Sequence, residues 1–198
     1  ATYDGEPCIQ VVIRAENDSA ELQKLREIST QDPITGLHNR NHFTELVDSA
    51  VERAVNAGQI ASLAYIRVDR FASLQAEIGL SDADQLLLQL ADVLRGYFDA
   101  QAPLARFADD VFTALQPGIA PDQAEVSLRK LLTRVEGHLF DIGGRTVQTT
   151  LSIGVASAVT DGREAIGALL ALAQERATQA HTAGGNRVVA EGGEVAPA

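Results

Sequence analysis

Two adjacent carboxylates, Asp109 and Asp110, lie between two short apolar segments, and their type and spacing could support chemistry. Carboxylate oxygens are the ligands that Mg²⁺ prefers, so such a pair could help to hold a divalent cation. Aspartate is also common at turns, because its side chain hydrogen-bonds the nearby backbone. A polar hairpin tip therefore explains the pair equally well, and both interpretations stay open.

Arg67, together with Asp69 and Asp84, could form an ion pair at the surface, which would add little stability. This is a simpler interpretation than a catalytic role for these three residues. The chain also has four histidines, His38, His42, His138 and His181. None of them has the spacing of metal ligands, so we predict surface or capping positions for them.

The composition limits the classes of function. The 198 residues suit one domain with a flanking segment, and 45% are hydrophobic, which is enough for a core. The net charge of −11 argues against a nucleic-acid-binding surface, which needs clustered Lys and Arg. The single cysteine, Cys8, excludes an internal disulfide. No segment resembles a signal peptide or a membrane span, so we predict a cytoplasmic domain without membrane insertion.

Apolar periodicity predicts an alternating series of helices and strands. Helices are predicted after an N-cap at Asn39 or Asn41 and over 82–98, 123–137 and 166–183. Strands are predicted over 62–68, 104–107, 111–115, 150–156 and 187–190, with a hairpin-like pair at 138–141 and 145–149. This order predicts an α/β (α+β) sandwich with the ferredoxin-like arrangement of nucleotide cyclases and polymerase palms. Its central sheet would be mostly antiparallel, with about five strands flanked by helices.

Four segments resemble, in order, the motifs of the diguanylate-cyclase (GGDEF) family. They are residues 32–40 (DPITGLHNR), 105–112 (ARFADDVF), 151–156 (LSIGVA) and 184–188 (GGNRV). The second segment resembles the family signature in degenerate form, as Ala108, Asp109, Asp110, Val111 and Phe112. Four ordered motifs are a far more specific signal than any single one. The resemblance predicts a degenerate GGDEF domain over 31–190.

The flanking segments resemble parts of other signalling modules. Residues 4–14 are similar to the last strand of a PAS sensor domain, so we predict a PAS remnant at 1–14, a signalling helix at 15–30 and a tail at 191–198 that leads to an EAL domain. This order is similar to FimX-type proteins, which regulate type IV pili and twitching motility through cyclic di-GMP. The resemblance implies PAS and EAL domains of the same chain as partners and a location in the cytoplasm, with the cell pole as a more specific alternative. The apolar stripe within 16–29 suits either a homodimer seam or packing on the chain's own domain.

The resemblance also assigns the catalytic positions. Active members of the family join two GTP molecules with the help of metal ions that neutralise the phosphates. One metal carboxylate of the family corresponds to Arg67, whose positive charge would repel a metal. A second corresponds to Asp110, which keeps its oxygens, and the next signature acid corresponds to Val111, which has none. We therefore predict no functional metal site.

The positions that hold the nucleotide in the family are also altered. The two signature glycines correspond to Ala108 and Asp109, so the backbone could not approach a nucleotide as closely. The guanine-reading Asn and Asp correspond to Gln75 and Asp84, which would form a remnant guanine site. Asn39, in the opening motif, is a further candidate for nucleotide contact.

The phosphate-binding Lys and Arg of the family correspond to His181 and Gly185, and its inhibitory Arg-x-x-Asp motif to Asp99 and Ala102. These losses predict a catalytically inactive regulatory domain in cyclic di-GMP signalling, which needs no cofactor and relays a signal to a downstream EAL-type domain. A sensor that binds GTP without turning it over is the alternative hypothesis. An active diguanylate cyclase with an altered metal site is the third.

Overall fold

The structure is a computed structural model that describes Thr2–Tyr3, Glu6–Pro7, residues 29–158 and residues 166–190. Thr2–Tyr3 (β1) and Glu6–Pro7 (β2) form a short antiparallel pair. The predicted PAS strand beyond residue 7, the signalling helix up to residue 28 and the tail at 191–198 lie outside the described residues. Within the described ranges, no helix is both long enough and apolar enough to span a membrane.

Helices and strands alternate along the rest of the chain. In order, they are Arg40–Asn56 (α1), Ala61–Val68 (β3), Phe71–Ile78 (α2), Leu80–Arg95 (α3), Leu104–Ala108 (β4), Val111–Pro117 (β5), Pro121–Glu136 (α4), Phe140–Ile142 (β6), Arg145–Val147 (β7), Leu151–Ser157 (β8), Ile166–Thr182 (α5) and Arg187–Val189 (β9). Five strands form the central sheet in the order β4-β5-β3-β8-β9. All neighbours in it are antiparallel except β8 and β9. The predicted five-stranded, mostly antiparallel sheet flanked by helices is therefore confirmed.

The sheet separates two hydrophobic cores, because side chains of a strand alternate between its faces. Leu63 and Tyr65 of β3 belong to the core that also contains buried residues of α1 and α5. Ala64 and Ile66 belong to the other core, which contains buried residues of α2, α3 and α4. The two faces of the sheet are thus each covered by helices.

The structure differs from the sequence prediction mainly between β3 and α3. There the chain forms the additional helix α2, whose Phe71 and Leu74 are buried. Eight residues make only two turns, which is too short for a clear apolar period. The predicted hairpin-like pair is present as β6 and β7, but it forms a separate two-stranded sheet. This sheet contacts α3 through a hydrogen bond of 2.7 Å from Gln89 Nε2 to Asp141 O.

The register of the strands brings four segments of the chain to one edge of the sheet, the one where β3 ends and β5 and β8 begin. Arg67, near the end of β3, is opposite Val111 at the start of β5 and Ser152 at the start of β8. The turn at 184–186, which we call the closing turn, precedes β9 at the same edge, since Ser152 also pairs with Arg187. The predicted site residues of β3, of the β4–β5 hairpin and of the closing turn therefore lie close together.

Candidate functional site

Arg67 and Asp110 form an ion pair between the end of β3 and the β4–β5 hairpin. Arg67 Nε lies 3.3 Å from Asp110 Oδ2, and the two side chains are 38% and 26% exposed. The sequence prediction that Arg67 pairs with Asp69 and Asp84 was wrong, because β5 pairs with β3 in a register that places Val111 opposite Arg67 and brings Asp110 within reach. At this exposure the pair adds at most about 1 kcal/mol of stability. The guanidinium of Arg67 thus lies directly beside Asp110, the carboxylate that the family resemblance assigned to metal binding.

The residues of the β4–β5 hairpin have separate roles. Asp109 is exposed at the turn, and its backbone oxygen accepts a 3.0 Å hydrogen bond from Arg106 Nη2. Val111 is 5% exposed and belongs to the core beneath α1. Phe112 is fully buried in the opposite core. Of the two predicted acids, only Asp110 lies beside β3, while Asp109 is a polar hairpin tip.

Asp69, the residue after β3, is the most extensively hydrogen-bonded carboxylate at this edge. It is 5% exposed. Its Oδ1 accepts hydrogen bonds from Ser152 Oγ at 2.6 Å and has His181 Nδ1 at 3.0 Å. Its Oδ2 accepts hydrogen bonds from Thr150 Oγ1 at 2.7 Å and from the backbone N–H of Asn186 at 3.0 Å. Asp69 thus joins the end of β3 to β8 and to the closing turn.

These hydrogen bonds determine the charge state of Asp69. Burial by itself raises the pKa of a carboxyl group, because it disfavours the charged form. The bonds from Ser152, Asn186, His181 and Thr150 outweigh that effect and hold the pKa of Asp69 below its ordinary value. A carboxylate has about four lone-pair sites, and all of them are occupied here. Asp69 is therefore an anion with no free oxygen for a metal ion.

The closing turn approaches Asp69 so closely that it requires glycine. Gly185 has φ +76°, and a Cβ atom built on it would lie 2.7 Å from Asp69 Oδ2. Any side chain at this position would have to displace a carboxylate that four hydrogen bonds hold. His181 and Gly185, which stand at the positions of the family's phosphate-binding Lys and Arg, both lie against Asp69.

The predicted guanine-reading residues lie on consecutive helices. Gln75 is on α2 and Asp84 is on α3, and both are half-buried. Among the described residues, neither side chain has a hydrogen-bonding partner. Asn39 differs, because its Oδ1 accepts a 3.0 Å hydrogen bond from the backbone N–H of His42 and its Nδ2 donates to Ser29 O at 2.9 Å. Of the two predicted N-cap residues, Asn39 and Asn41, it is Asn39 that caps α1. The contact of Asn39 with a nucleotide stays a prediction.

Arg106 connects the opening motif to the hairpin, and the sequence did not identify it. Its Nη1 lies 3.4 Å from Asp32 Oδ1, with the two side chains 10% and 16% exposed. Asp32 Oδ1 also accepts hydrogen bonds of 2.8 Å from the N–H and the hydroxyl of Thr35. The only signal in the sequence was the place of Arg106 two residues before Ala108. The hairpin is thereby fixed to the start of the domain.

Residues 29–187 match the family described as "Diguanylate cyclase, GGDEF domain". The matched range includes β3, the β4–β5 hairpin, Asp69 and the turn before β9. The chain belongs to the GGDEF family. The resemblance drawn from the four motifs is confirmed at the level of the family.

Two curated relatives show how the GGDEF domain relates to longer proteins. The response regulator PleD of Caulobacter vibrioides is 31% identical over 165 residues, which are 82% of this chain and 36% of PleD. The cyclic di-GMP phosphodiesterase NbdA of Pseudomonas aeruginosa is 28% identical over 140 residues, which are 71% of this chain and 18% of NbdA. The chain therefore spans about a third or less of these relatives.

Two solved structures share the fold. The FimX GGDEF domain from Pseudomonas aeruginosa is 46% identical and has a TM-score of 0.75, covering 81% of this chain and 98% of that one. The coiled coil and GGDEF domain of DgcB from Caulobacter crescentus, in complex with c-di-GMP, has a TM-score of 0.79 and covers 86% of this chain and 90% of that one. At 23% identity, the DgcB comparison supports the fold alone.

Proposed function

We propose that this GGDEF domain acts in cyclic di-GMP signalling as a regulatory module that does not synthesise cyclic di-GMP. The observation that carries the proposal is the contact of 3.3 Å between Arg67 and Asp110. Transfer of a nucleotidyl group relies on metal ions to neutralise the charge of the phosphates. A guanidinium beside the surviving carboxylate leaves no favourable place for such an ion.

The surroundings of the ion pair support the same proposal. Asp69 follows Arg67 by two residues and is the acid that could replace the missing metal carboxylate. The four lone-pair sites of Asp69 are occupied, so it does not do so. Val111 is buried in the core and contributes no oxygen. The negative charge of Asp69, beside His181 and Gly185, would also repel a triphosphate.

Incubation of the purified chain with GTP and Mg²⁺ is expected to yield no cyclic di-GMP, because the metal ions have no pair of carboxylates to bind. Chromatography of the nucleotides measures the product directly. The Asp110→Asn variant is the control, since it removes the only acid of the hairpin beside β3. Product that forms with the native chain and disappears with Asp110→Asn would contradict the proposal.

GTP binding without turnover is a second candidate function, and one observation favours it. Gln75 and Asp84 are half-buried and have no hydrogen-bonding partner among the described residues, so their polar groups are available to a base. A hydrogen bond from a guanine N–H to a carboxylate is worth about 1.5–3 kcal/mol. The two functions are compatible, because base recognition does not require the metal site.

If the domain senses GTP, the Asp84→Ala variant is expected to bind it at least tenfold more weakly than the native chain. Isothermal titration calorimetry with GTP and Mg²⁺ measures the two affinities. Asp82→Ala is the matched control, because Asp82 is also a half-buried acid at the start of α3, but it faces Arg145 at 3.7 Å. Equal loss in both variants, or no loss in Asp84→Ala, would contradict base recognition by Asp84.

The partners of the domain form part of the same proposal. We propose, from the resemblance of the flanking segments, a relay from a PAS domain to an EAL domain with a role in type IV pili; the similarity to FimX is to its GGDEF domain alone. A homodimer through residues 16–29 would be one way to transmit the signal. Sedimentation velocity on the chain, with and without residues 16–29, measures whether that segment holds two copies together.

A further inference from the structure

Tyr65, in β3, is a tyrosine whose hydroxyl has no hydrogen-bonding partner among the described residues. The residue is only 8% exposed, and tyrosines buried to this degree usually hydrogen-bond their hydroxyl. Thr113, directly opposite on β5, also has an unpaired hydroxyl, but that oxygen is sealed from solvent. The oxygen of Tyr65 is not sealed in this way, so a ligand can reach it.

Two arginines lie on the same side of the sheet as Tyr65. Arg67 follows Tyr65 by two residues in β3, so both side chains are on one face of the strand. Arg40, at the start of α1, has its Cζ atom 4.7 Å from the centre of the Phe107 ring. The ring of Phe107 is also in edge contact with the ring of Tyr65, with 6.0 Å between their centres. Phe107 therefore holds the guanidinium of Arg40 in the neighbourhood of Tyr65.

Both guanidinium groups keep donors that are not used. Arg67 contacts Asp110 through Nε, and its two terminal nitrogens have no acceptor among the described residues. Arg40 has no acceptor in that part of the chain either, and its guanidinium contacts the face of Phe107. A guanidinium carries five N–H donors, and phosphate and carboxylate oxygens are the acceptors that match them best.

The charges near the hydroxyl of Tyr65 favour an anion. Burial, and then the negative charge of Asp110, raise the pKa of Tyr65, whereas the positive charges of Arg40 and Arg67 lower it. Two positive charges and one negative charge therefore act on this hydroxyl, and Asp109 at the hairpin tip is not among them. Because the pKa is raised, the hydroxyl is protonated at neutral pH and can donate a hydrogen bond to an anion.

We propose that Tyr65, Arg40 and Arg67 form a binding site for a phosphate group. The oxygens of a tetrahedral phosphate point in several directions, so they can accept hydrogen bonds from donors on two strands of approach, which the two oxygens of a planar carboxylate do less well. Such charge-assisted hydrogen bonds are about twice as strong as neutral ones. The site uses Arg67 but needs no metal ion, so it does not depend on whether the domain synthesises cyclic di-GMP.

Titration of the ¹⁵N-labelled chain with inorganic phosphate, followed by two-dimensional NMR without Mg²⁺, tests the proposal. Chloride replaces phosphate at equal ionic strength in the reference samples, because exposed charges respond to salt alone. We expect saturable shifts at Arg40, Tyr65, Arg67 and Phe107, with a dissociation constant of order millimolar, as suits so small a ligand. Acetate is expected to bind more weakly at these residues.

GTP distinguishes the two sources of a phosphate group. If GTP displaces inorganic phosphate from these residues, the site holds the phosphate of a nucleotide, and if it does not, the site holds the free ion; both results support a phosphate site. The absence of saturable shifts with both ligands, or acetate binding as tight as that of phosphate, would overturn the proposal.

Three variants separate a defined site from general attraction between charges. Tyr65→Phe keeps the ring and removes the hydroxyl, and it is expected to weaken phosphate binding about tenfold. Arg40→Gln is expected to have at least as large an effect, and because Arg40 is exposed, this test stands even if Tyr65→Phe does not fold. Arg53→Gln removes the same charge from the last turn of α1 and is expected to leave the affinity unchanged. Unchanged affinity in both Tyr65→Phe and Arg40→Gln, or equal loss in Arg40→Gln and Arg53→Gln, would overturn the proposal.

Discussion

Replacing Asp69 by alanine is expected to lower the free energy of unfolding by about 3 kcal/mol. The carboxylate of Asp69 is buried and is the shared partner of two hydroxyls, one ring nitrogen and one backbone N–H. Without it, these groups would remain at a buried position with no acceptor. Each buried donor that loses its acceptor lowers the stability by about 1–3 kcal/mol. Water that enters the space left by the carboxylate would pair with some of these donors and reduce the total loss. The loss would also release the closing turn from β3.

Urea unfolding followed by circular dichroism measures this change. Asp109→Ala is the matched control, because Asp109 is an exposed acid at the hairpin tip and its side chain has no partner among the described residues. We expect its free energy of unfolding to stay within about 0.5 kcal/mol of the native value. If Asp69→Ala lost no more stability than Asp109→Ala, the hydrogen bonds of Asp69 would not hold the fold together.

The pH dependence of stability follows from the same residue. The pKa of Asp69 is lower in the folded chain than its ordinary value, so the folded state favours the charged carboxylate. The contribution of Asp69 to the free energy of unfolding is complete above the pKa of the carboxyl group in the unfolded chain, about 4. It decreases as the pH falls towards the lower pKa of the folded chain. The difference in stability between the native chain and Asp69→Ala should therefore shrink on acidification below about pH 4.

The sequence predicted the fold well because the fold depends on local patterns. Most observed helices and strands are within a few residues of the predicted ranges, and Asn39 caps α1 as expected. The alternating side-chain pattern of β3 and the apolar faces of α3 and α4 are visible in the sequence, even when the elements they pack against are not known. Helix α2 was missed because its two turns are too short for that signal.

The arrangement of the site could not be predicted in the same way. Asp69 is 83 residues from Ser152 and 117 residues from Asn186 along the chain, and only the strand register brings them together. The partner of Arg67 likewise depends on the register in which β5 pairs with β3. Residue types at motif positions identified which groups differ from the family, but not that Asp69 contacts both His181 and Gly185. Those contacts explain why one substitution at the closing turn would not create a phosphate site.

Gly154, at the centre of β8, gives the second large effect. Replacing it by alanine is expected to lower the free energy of unfolding by about 3 kcal/mol, the upper part of the range for overpacked cores. A Cβ atom at this position would lie 2.0 Å from Ala173 O and 2.3 Å from Ala177 N. Both atoms belong to the backbone of α5, so no side-chain rotation can relieve the overlap. Helix α5 would have to move away from the sheet.

Gly167→Ala is the control that separates this overlap from the general effect of exchanging glycine for alanine. Gly167 lies in α5 itself and is exposed, and a Cβ atom built on it meets nothing within 4 Å. Alanine there is expected to raise the free energy of unfolding by up to about 1 kcal/mol, because it favours the helix. Thermal unfolding of the two variants should therefore shift in opposite directions. A Gly154→Ala variant as stable as the native chain would mean that α5 can separate from β8 at little cost, and that its close packing does not fix the closing turn beside Asp69.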